Sequence, residues 1–517
     1  GGFECEEWAY VSDSELVCTV PPGIGSGAVS VEVLSDLEEE SLGPGDDSYG
    51  GRSYIMRNFI LGESEYAAFP ARHAGDFPHR RVGVLPATQG FKQVLLVLGG
   101  LALPSDPSEA KQGFLAMSPS PTNAGAMEMP TATLQRAPVW FSRAVSCVVE
   151  RAGIFFVGGT FAEAQSELGV GPEGTMQVAR PNDQYTARPP FAGIVKYDGT
   201  RVIPLGLGVD GEVTTLAWLG DTLIVGGSFR RVLPRRGDGL YVNGLAAWDE
   251  ERGEWSALPA VTVVDLQTGV LCAVTVNATL YVGGAFTSQA PGGSAFNRIA
   301  EYNSTGQTWS RLGSGIEGGD VFVISDATDV DCQGGEERER CSGIFAGGSF
   351  RRAGGVAVLH IAHWDGVQWR AIGSLDAAVY AMTASNGWLY AGGDFVTATT
   401  AETNVAVAVD HVVRWRAGAW EPLLGGVGGP TFSLAIGAGC VYVGGRFTKV
   451  CEGAADTAVR ASRCEAELDS SLHQPARGIA RWCNSEHAGA VWEPVAAEGF
   501  ESMGTVRAIT LMRGREG

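Results

Sequence analysis

Ten cysteines, seven histidines and several clusters of arginine are the residues of this 517-residue chain whose types can carry chemistry. The cysteines come in local pairs. Cys5 and Cys18 flank a short hairpin-like stretch, Cys332 and Cys341 bound an acidic loop, and Cys451 and Cys464 bound another. None has the tight C-x-x-C spacing of a zinc site, and no His pair completes one. They are predicted to be loop-closing disulfides, which implies an oxidising compartment. Asn277-Ala-Thr and Asn303-Ser-Thr are N-glycosylation acceptors and agree with secretion. Arg230, Arg231, Arg235, Arg236, Arg351, Arg352, Arg446 and Lys449 all follow glycine pairs. They form a candidate binding rim for a sulfated or acidic glycan or an acidic partner. Solvated turns paired with nearby Glu are the preferred reading of that rim. Arg236-Gly-Asp238 spells a cell-attachment tripeptide, for which a Gly-Asp turn is the simpler explanation. No Ser-His-Asp or Cys-His arrangement stands out. Gly23-Ile-Gly-Ser-Gly27 lacks the Lys-Ser/Thr of a phosphate loop.

What must position these residues is a repeat. A hydrophobic strand ending in Gly-Gly-x-Phe recurs as Phe156-Val-Gly-Gly-Thr-Phe161, Ile224-Val-Gly-Gly-Ser-Phe229 and Tyr281-Val-Gly-Gly-Ala-Phe286. It continues as Phe345-Ala-Gly-Gly-Ser-Phe350, Tyr390-Ala-Gly-Gly-Asp-Phe395 and Tyr442-Val-Gly-Gly-Arg-Phe447, with a degenerate copy at Val97-Leu-Gly-Gly-Leu101. The first glycines, at 99, 158, 226, 283, 347, 392 and 444, stand 45 to 68 residues apart. A constant unit with variable loops marks a stack of supersecondary units. After each pair comes Gly193-Ile-Val-Lys-Tyr-Asp, Gly244-Leu-Ala-Ala-Trp-Asp, Arg298-Ile-Ala-Glu-Tyr-Asn, His360-Ile-Ala-His-Trp-Asp, His411-Val-Val-Arg-Trp or Gly478-Ile-Ala-Arg-Trp. A turn then leads to an aromatic strand, at Trp255, Trp309, Trp369, Trp420 and Trp492. An alternating apolar stretch, such as 213–218 or 379–383, precedes the diglycine. Four short strands with turns between them make one antiparallel sheet. The stretch 506–511 repeats the first-strand pattern; it either completes the first sheet or begins another.

The three linked motifs resemble the blades of a kelch-type β-propeller, over roughly residues 80 to 514. The Val-Gly-Gly-x-Phe variant is similar to repeats of secreted and cell-surface proteins, including fungal cell-cortex markers. Antiparallel order within such a blade sets the start of strand two beside the end of strand three, which predicts a Cys440–Cys483 bond. Cys147 and Cys272 would occupy the same inner-strand position in non-adjacent blades, so free buried thiols are expected. The turns holding Asn277 and Asn303 would share one face of the disc. Long loops, including 162–190 and 448–476, would emerge on the other, the natural contact surface. The front segment, with Cys5-Glu-Glu-Trp, Val11-Ser-Asp-Ser-Glu-Leu-Val-Cys18, Pro21-Pro-Gly-Ile-Gly25 and Val29-Ser-Val-Glu-Val33, resembles the closing strands of an IPT/TIG immunoglobulin-like domain. The kelch resemblance also raises a galactose-oxidase-like copper site. His360, His363 and His411 stand where sister repeats carry Arg298, Gly244 or Ala247, so a structural role is expected of them. His360 and His363 would face opposite sides of one strand. The Trp364-Asp-Gly-Val-Gln-Trp369 stretch is read as a two-residue Asp-Gly hairpin rather than a sialidase-type Asp box.

Composition agrees with a turn-rich β protein. The 73 Gly and 24 Pro leave few uninterrupted stretches for helices, while 45% apolar content argues against disorder. A net charge of −21 repels phosphate backbones, and no apolar run approaches the roughly 18 residues of a membrane span. The predicted fold is all-β. A seven-bladed propeller of four-stranded antiparallel blades occupies 53–517, with six or eight blades as alternatives. A partial IPT/TIG-like segment occupies 1–35 and an acidic linker 36–52, in a chain that reads as a piece of something longer. No catalytic residue, metal ligand or cofactor is assigned. The expected role is a non-catalytic extracellular interaction or structural module of a large secreted or cell-surface glycoprotein. Its partners would be other surface or matrix proteins, glycans or further copies of itself, as in a fibre, sheath or flagellar appendage. No nucleic-acid partner is expected. The alternative is a secreted carbohydrate-active or copper-oxidase-like propeller enzyme.

Overall fold

A computed structural model of the protein describes residues 7–12, 15–19, 93–102, 112–118, 133–141 and, apart from 167–192, 259–268, 452–472 (Cys464 excepted) and shorter gaps, 143–513. The chain divides into two compact units, Gly1–Pro86 and Ala87–Gly517. In the first, Glu7–Ser12 pairs antiparallel with Glu15–Thr19, with Trp8 opposite Cys18. Cys5 and the stretch 36–52 lie outside the described residues.

The second unit is all-β; the described residues contain no helix. Six four-stranded antiparallel sheets follow one another, each opening on an apolar strand. Those first strands are Val145–Arg151, Val213–Leu219, Val270–Val276, Val321–Asp326, Val379–Ser385 and Thr431–Gly437. Each second strand carries the diglycine, and each third strand the Ile-Ala-x-Trp motif or its variant. A larger sheet sets Gln93–Ala102 between Gln112–Ser118 and the late strand Ser502–Arg513. The 506–511 stretch therefore completes the earliest sheet instead of beginning a new one. In that sheet Leu98 lies opposite Ala508 and Gly99 opposite Val506, so Leu98 and Gly99, not Gly99 and Gly100, occupy the diglycine positions. Each first strand touches the first strand of the next sheet, and Ser502–Arg513 touches Val145–Arg151, so the contacts run in a closed, propeller-like circuit. Radial packing of this kind buries both faces of a small sheet.

The diglycines have two separate jobs. A Cβ built on Gly226, Gly283 or Gly347 would stand 2.7 to 2.8 Å from a methyl carbon of Val270, Val321 or Val379, the residue opening the next sheet. Gly158, Gly392 and Gly444 face Val213, Thr431 and Val506 in the same way. The first glycine is thus a socket between sheets. The second glycine of each pair would drive a Cβ into a backbone carbonyl beside its own sheet's first strand, such as Ala378 for Gly393. The Gly-Gly-x-Phe phenylalanines, Phe161, Phe229, Phe286, Phe350, Phe395 and Phe447, are all buried, each contributing about 2 kcal/mol of hydrophobic stabilisation. Fourth-strand tryptophans tie neighbours together: the Nε1 groups of Trp255, Trp369 and Trp492 donate to the carbonyls of Leu205, Leu312 and Leu423 in the preceding sheet's exit, at 2.9 to 3.1 Å.

One position recurs with a left-handed backbone. Gly193, Gly244 and Gly478 have φ between 56° and 85°, and their counterparts Arg298, His360 and His411 have 60° to 69°. In the His360 and His411 sheets, the N–H at this position donates to the Phe350 or Phe395 carbonyl, and its C=O accepts from the second glycine, Gly348 or Gly393. Side chains are strained there by about 1 kcal/mol each.

Candidate functional site

Alternating strand direction gives the ring two ends. The turns joining strands one to two and three to four lie at one end. The strand two-to-three connections and the passages to the next sheet lie at the other, which carries extra three-stranded sheets. One joins Gly208–Val209, Arg231–Leu233 and Leu240–Tyr241; another joins Ile316–Glu317, Arg352–Ala353 and Val356–Ala357. A third joins Ser374–Leu375, Thr397–Thr399 and Ala406–Ala408. Each borrows a strand from the passage leaving the preceding sheet.

The basic rim lies at this decorated end. Asp210 fixes its first turn, its Oδ1 accepting from the backbone N–H groups of Arg230 and Arg231 at 2.7 and 2.8 Å. Arg231 lies over the Tyr241 ring, 4.3 Å from its centroid, and bonds to its hydroxyl. Arg352 donates to the Gly355 carbonyl at 3.2 Å. Arg230, Arg351, Arg446 and Lys449 form no ion pair among the described residues, so the expected pairing with nearby Glu is absent from these four. Arg235 and Arg236, and with them most of the Arg236-Gly-Asp238 tripeptide, lie outside the described residues. Among the described residues, six of the seven exposed large apolar side chains share this end: Leu207, Leu240, Tyr241, Val356, Leu359 and Val405.

The sequence reading missed a set of residues on the first strands, which contact one another around the ring. In every first strand the pairing register skips the second residue, a β-bulge that lifts it out of the ladder. The skipped residues are Ser146, Thr214, Leu271, Phe322, Tyr380, Phe432 and Arg507. The first six are half-buried and Arg507 is exposed, in contrast to the fully buried residue before each. Phe322, Tyr380 and Phe432 touch in succession across three sheets, with ring centroids 5.6 and 5.4 Å apart. The Tyr380 hydroxyl donates to Asp394 at 2.6 Å. Burial first, then that hydrogen bond and the Asp394 charge, push the Tyr380 hydroxyl up to about 12, against an opposing pull from Arg446. The available signal was positional: each of these residues directly follows the β-branched residue that fills a glycine socket.

The two sequons lie side by side at the undecorated end. Asn277 is exposed in a turn with φ 56°, and Asn303 is exposed with its Oδ1 accepting from the Thr305 and Gly306 N–H groups at 2.9 and 3.0 Å. Thr279 pairs with Asn303, and the Ser304 N–H donates to the Ala278 carbonyl.

Three disulfides are present among the described residues: Cys332–Cys341, Cys440–Cys483 and Cys451–Cys464, with Cα separations of 5.0, 4.3 and 5.6 Å. Cys440 and Cys483 are direct cross-strand partners. The Cys5–Cys18 pair lies outside the described side chains. Cys147 and Cys272 are free and lie against Gly158 and Gly283, with burial pushing both thiols up. The histidines do not gather. His363 is buried on Ile361–Trp364, stacks on Phe345 and donates from Nε2 to the Ser342 carbonyl at 2.7 Å. Contrary to the two-faces-of-a-strand expectation, His360 stands before that strand, in the left-handed position. His411 is buried and donates from Nδ1 to the Gly393 carbonyl. Cys332, Cys341 and His363 form the one cluster of metal-ligand types among the described residues, and its two sulfurs are bonded to each other. The Asp365 connection is also longer than expected: Trp364 pairs with Trp369, leaving a four-residue turn in which the Asp365 carboxylate accepts from Val367, Gln368 and Arg370.

No protein-family model and no curated protein sequence matches the chain. Among solved structures it is similar to the computationally designed Ika8 protein, at 14% identity and TM-score 0.35, covering 69% of this chain and 82% of that one. It is also similar to the extracellular domain of a putative one-component system from B. thetaiotaomicron, at 12% identity and TM-score 0.35, covering 77% of this chain and 46% of that one. The same organism's putative hybrid two-component extracellular domain gives 13% identity and TM-score 0.34, with 69% and 46% covered. The chain spans less than half the length of these two sensor domains. Among the described residues no helix is long and apolar enough to cross a membrane.

Proposed function

We propose that this chain is a non-catalytic extracellular interaction module built on a seven-bladed, kelch-type β-propeller, belonging to a larger secreted or cell-surface glycoprotein. The blade count rests on seven first strands in closed mutual contact. Three disulfides and two exposed sequons support an oxidising, extracytoplasmic setting. The observation that carries the functional reading is the asymmetry of the ring. Exposed apolar side chains and unpaired cations collect at the decorated end, while both sequons sit at the other. Apolar side chains beside uncommitted charge are the composition of a contact surface. Partners are surface or matrix proteins, glycans or further copies of the chain, with assembly into a fibre or sheath as an extension.

The test compares decorated-end variants (Leu240→Glu with Val356→Glu, and Arg230→Glu with Arg351→Glu) with the opposite-end Val367→Glu. Glycosylated protein from a secretory host would be assayed for capture of acidic glycans and purified surface proteins of its source. Capture that survives every decorated-end variant, or stoichiometric copper with oxidase turnover, would overturn the proposal.

A further inference from the structure

The mouth of the ring at its decorated end carries a second, more specific arrangement. The bulges that lift the second residue of each first strand place Phe322, Tyr380 and Phe432 in one continuous arc across three adjacent sheets. A fully apolar role would bury these rings, as it buries the phenylalanines that follow the diglycines; here all three are half-exposed. Polar groups stand at the same arc. Asp394 is exposed and binds the Tyr380 hydroxyl, and Arg446 is close enough to Tyr380 to act on its charge. Arg507 follows Val506, which fills the Gly444 socket two residues before Arg446. Both arginines are exposed, and neither has a side-chain partner among the described residues. By contrast, Arg298, Arg340, Arg370, Arg414 and Arg481 are all committed to carboxylates.

We infer that this mouth binds an oligosaccharide bearing a uronic-acid carboxylate, with the aromatic arc against the sugar ring and Arg446 and Arg507 on its carboxylate. The inference rests on the interaction-module reading and names a ligand class for it. Each part of the site matches one part of such a ligand. Half-exposed aromatic rings offer flat faces to the C–H side of a pyranose. Two free guanidiniums supply the planar donors that a carboxylate accepts. The Asp394 carboxylate accepts from sugar hydroxyls, which a peptide of glutamates does not offer, and this separates a uronate from an acidic peptide.

The experiment is calorimetric titration of the glycosylated chain with a galacturonic-acid trimer and, in parallel, a hyaluronan tetrasaccharide, to separate the two sources of uronate. A neutral galactose trimer and a hexaglutamate peptide serve as controls. Saturable binding of at least one uronate is expected, weakening by about tenfold or more for Arg446→Met, for Arg507→Met and for the neutral trimer. Arg252→Met, in a turn at the undecorated end, should leave it unchanged, and Tyr380→Phe should weaken it several-fold without unfolding the ring. Three results overturn the inference: no saturable uronate binding, binding by both arginine variants as tight as by the unaltered protein, or tighter binding of hexaglutamate. If uronate fails while capture dependent on the decorated end persists, only this inference falls. Turnover of the saccharide would remove the non-catalytic reading as well.

Discussion

Gly392→Ala tests the socket that holds one sheet to the next. A Cβ at this position would collide with Thr431 Cγ2 and stand 3.0 Å from Thr431 Cβ, with Leu434 Cδ1 at a comfortable 3.6 Å. Thr431 is fully buried, so the methyl cannot swing into solvent, and overpacking of this kind costs about 1–3 kcal/mol. The Thr431 hydroxyl is itself buried without a hydrogen-bond partner. Thr431→Ala therefore loses about 1 kcal/mol of methyl packing but removes an unpaired polar group worth about 1–3 kcal/mol, and should be nearly neutral. Because the alanine lacks Cγ2, the double variant should recover most of what Gly392→Ala loses, a coupling of about 1–2 kcal/mol. Gly393→Ala is the control. Its Cβ meets the Ala378 backbone carbonyl, which no side-chain truncation relieves, so Thr431→Ala should not rescue it. Urea unfolding followed by tryptophan fluorescence compares the parent with the three single and two double variants. Simple additivity of Gly392→Ala and Thr431→Ala, or equal rescue of Gly393→Ala, would refute the division of labour between the two glycines.

Three further outcomes are expected. His360→Gly relieves a left-handed side chain with an unpaired buried Nδ1, at a position where sister sheets already use glycine. Urea midpoints should show no loss and a gain of up to about 1 kcal/mol, and a larger loss would contradict the strain. Removing the Cys440–Cys483 bond, whose ends are 43 positions apart, should cost about 4 kcal/mol on loop-closure entropy. Removing the Cys451–Cys464 bond, whose ends are 13 positions apart, should cost about 3 kcal/mol, so denaturation of the paired Ser variants ought to preserve that order. Burial alone would raise the Asp365 carboxyl, but hydrogen bonds from Gln368, Arg370 and Val367 together hold it at about 2, below the ordinary 3.8. Its contribution to stability is present above the ordinary value and lost as pH falls towards 2. Carboxyl-carbon NMR checks the titration, and Asp365→Asn should shrink the acid-side loss of stability.

The repeat could be read along the chain: the six diglycine strands, the Ile-Ala-x-Trp strand that follows and the fourth-strand tryptophan are local requirements, and local requirements leave local signatures. Gly283 must lack a Cβ whichever partner approaches it, so its identity was visible before its partner, Val321, was known. The cross-strand Cys440 and Cys483 pair was legible from strand order, because antiparallel order sets the start of strand two beside the end of strand three whatever the length of the loop between them. The all-β class, too, followed from glycine and proline content together with the apolar content and the strand repeat. Which copy of the repeat is out of step emerged from long-range pairing. Leu98 takes the socket position, a shift fixed by pairing with a strand some four hundred residues away. It also decided what lines the ring mouth. Phe322, Tyr380 and Phe432 look like ordinary alternating strand residues in the chain. They become one surface only because each strand bulges at the same place and the ring closes, two facts of long-range packing that no local spacing records.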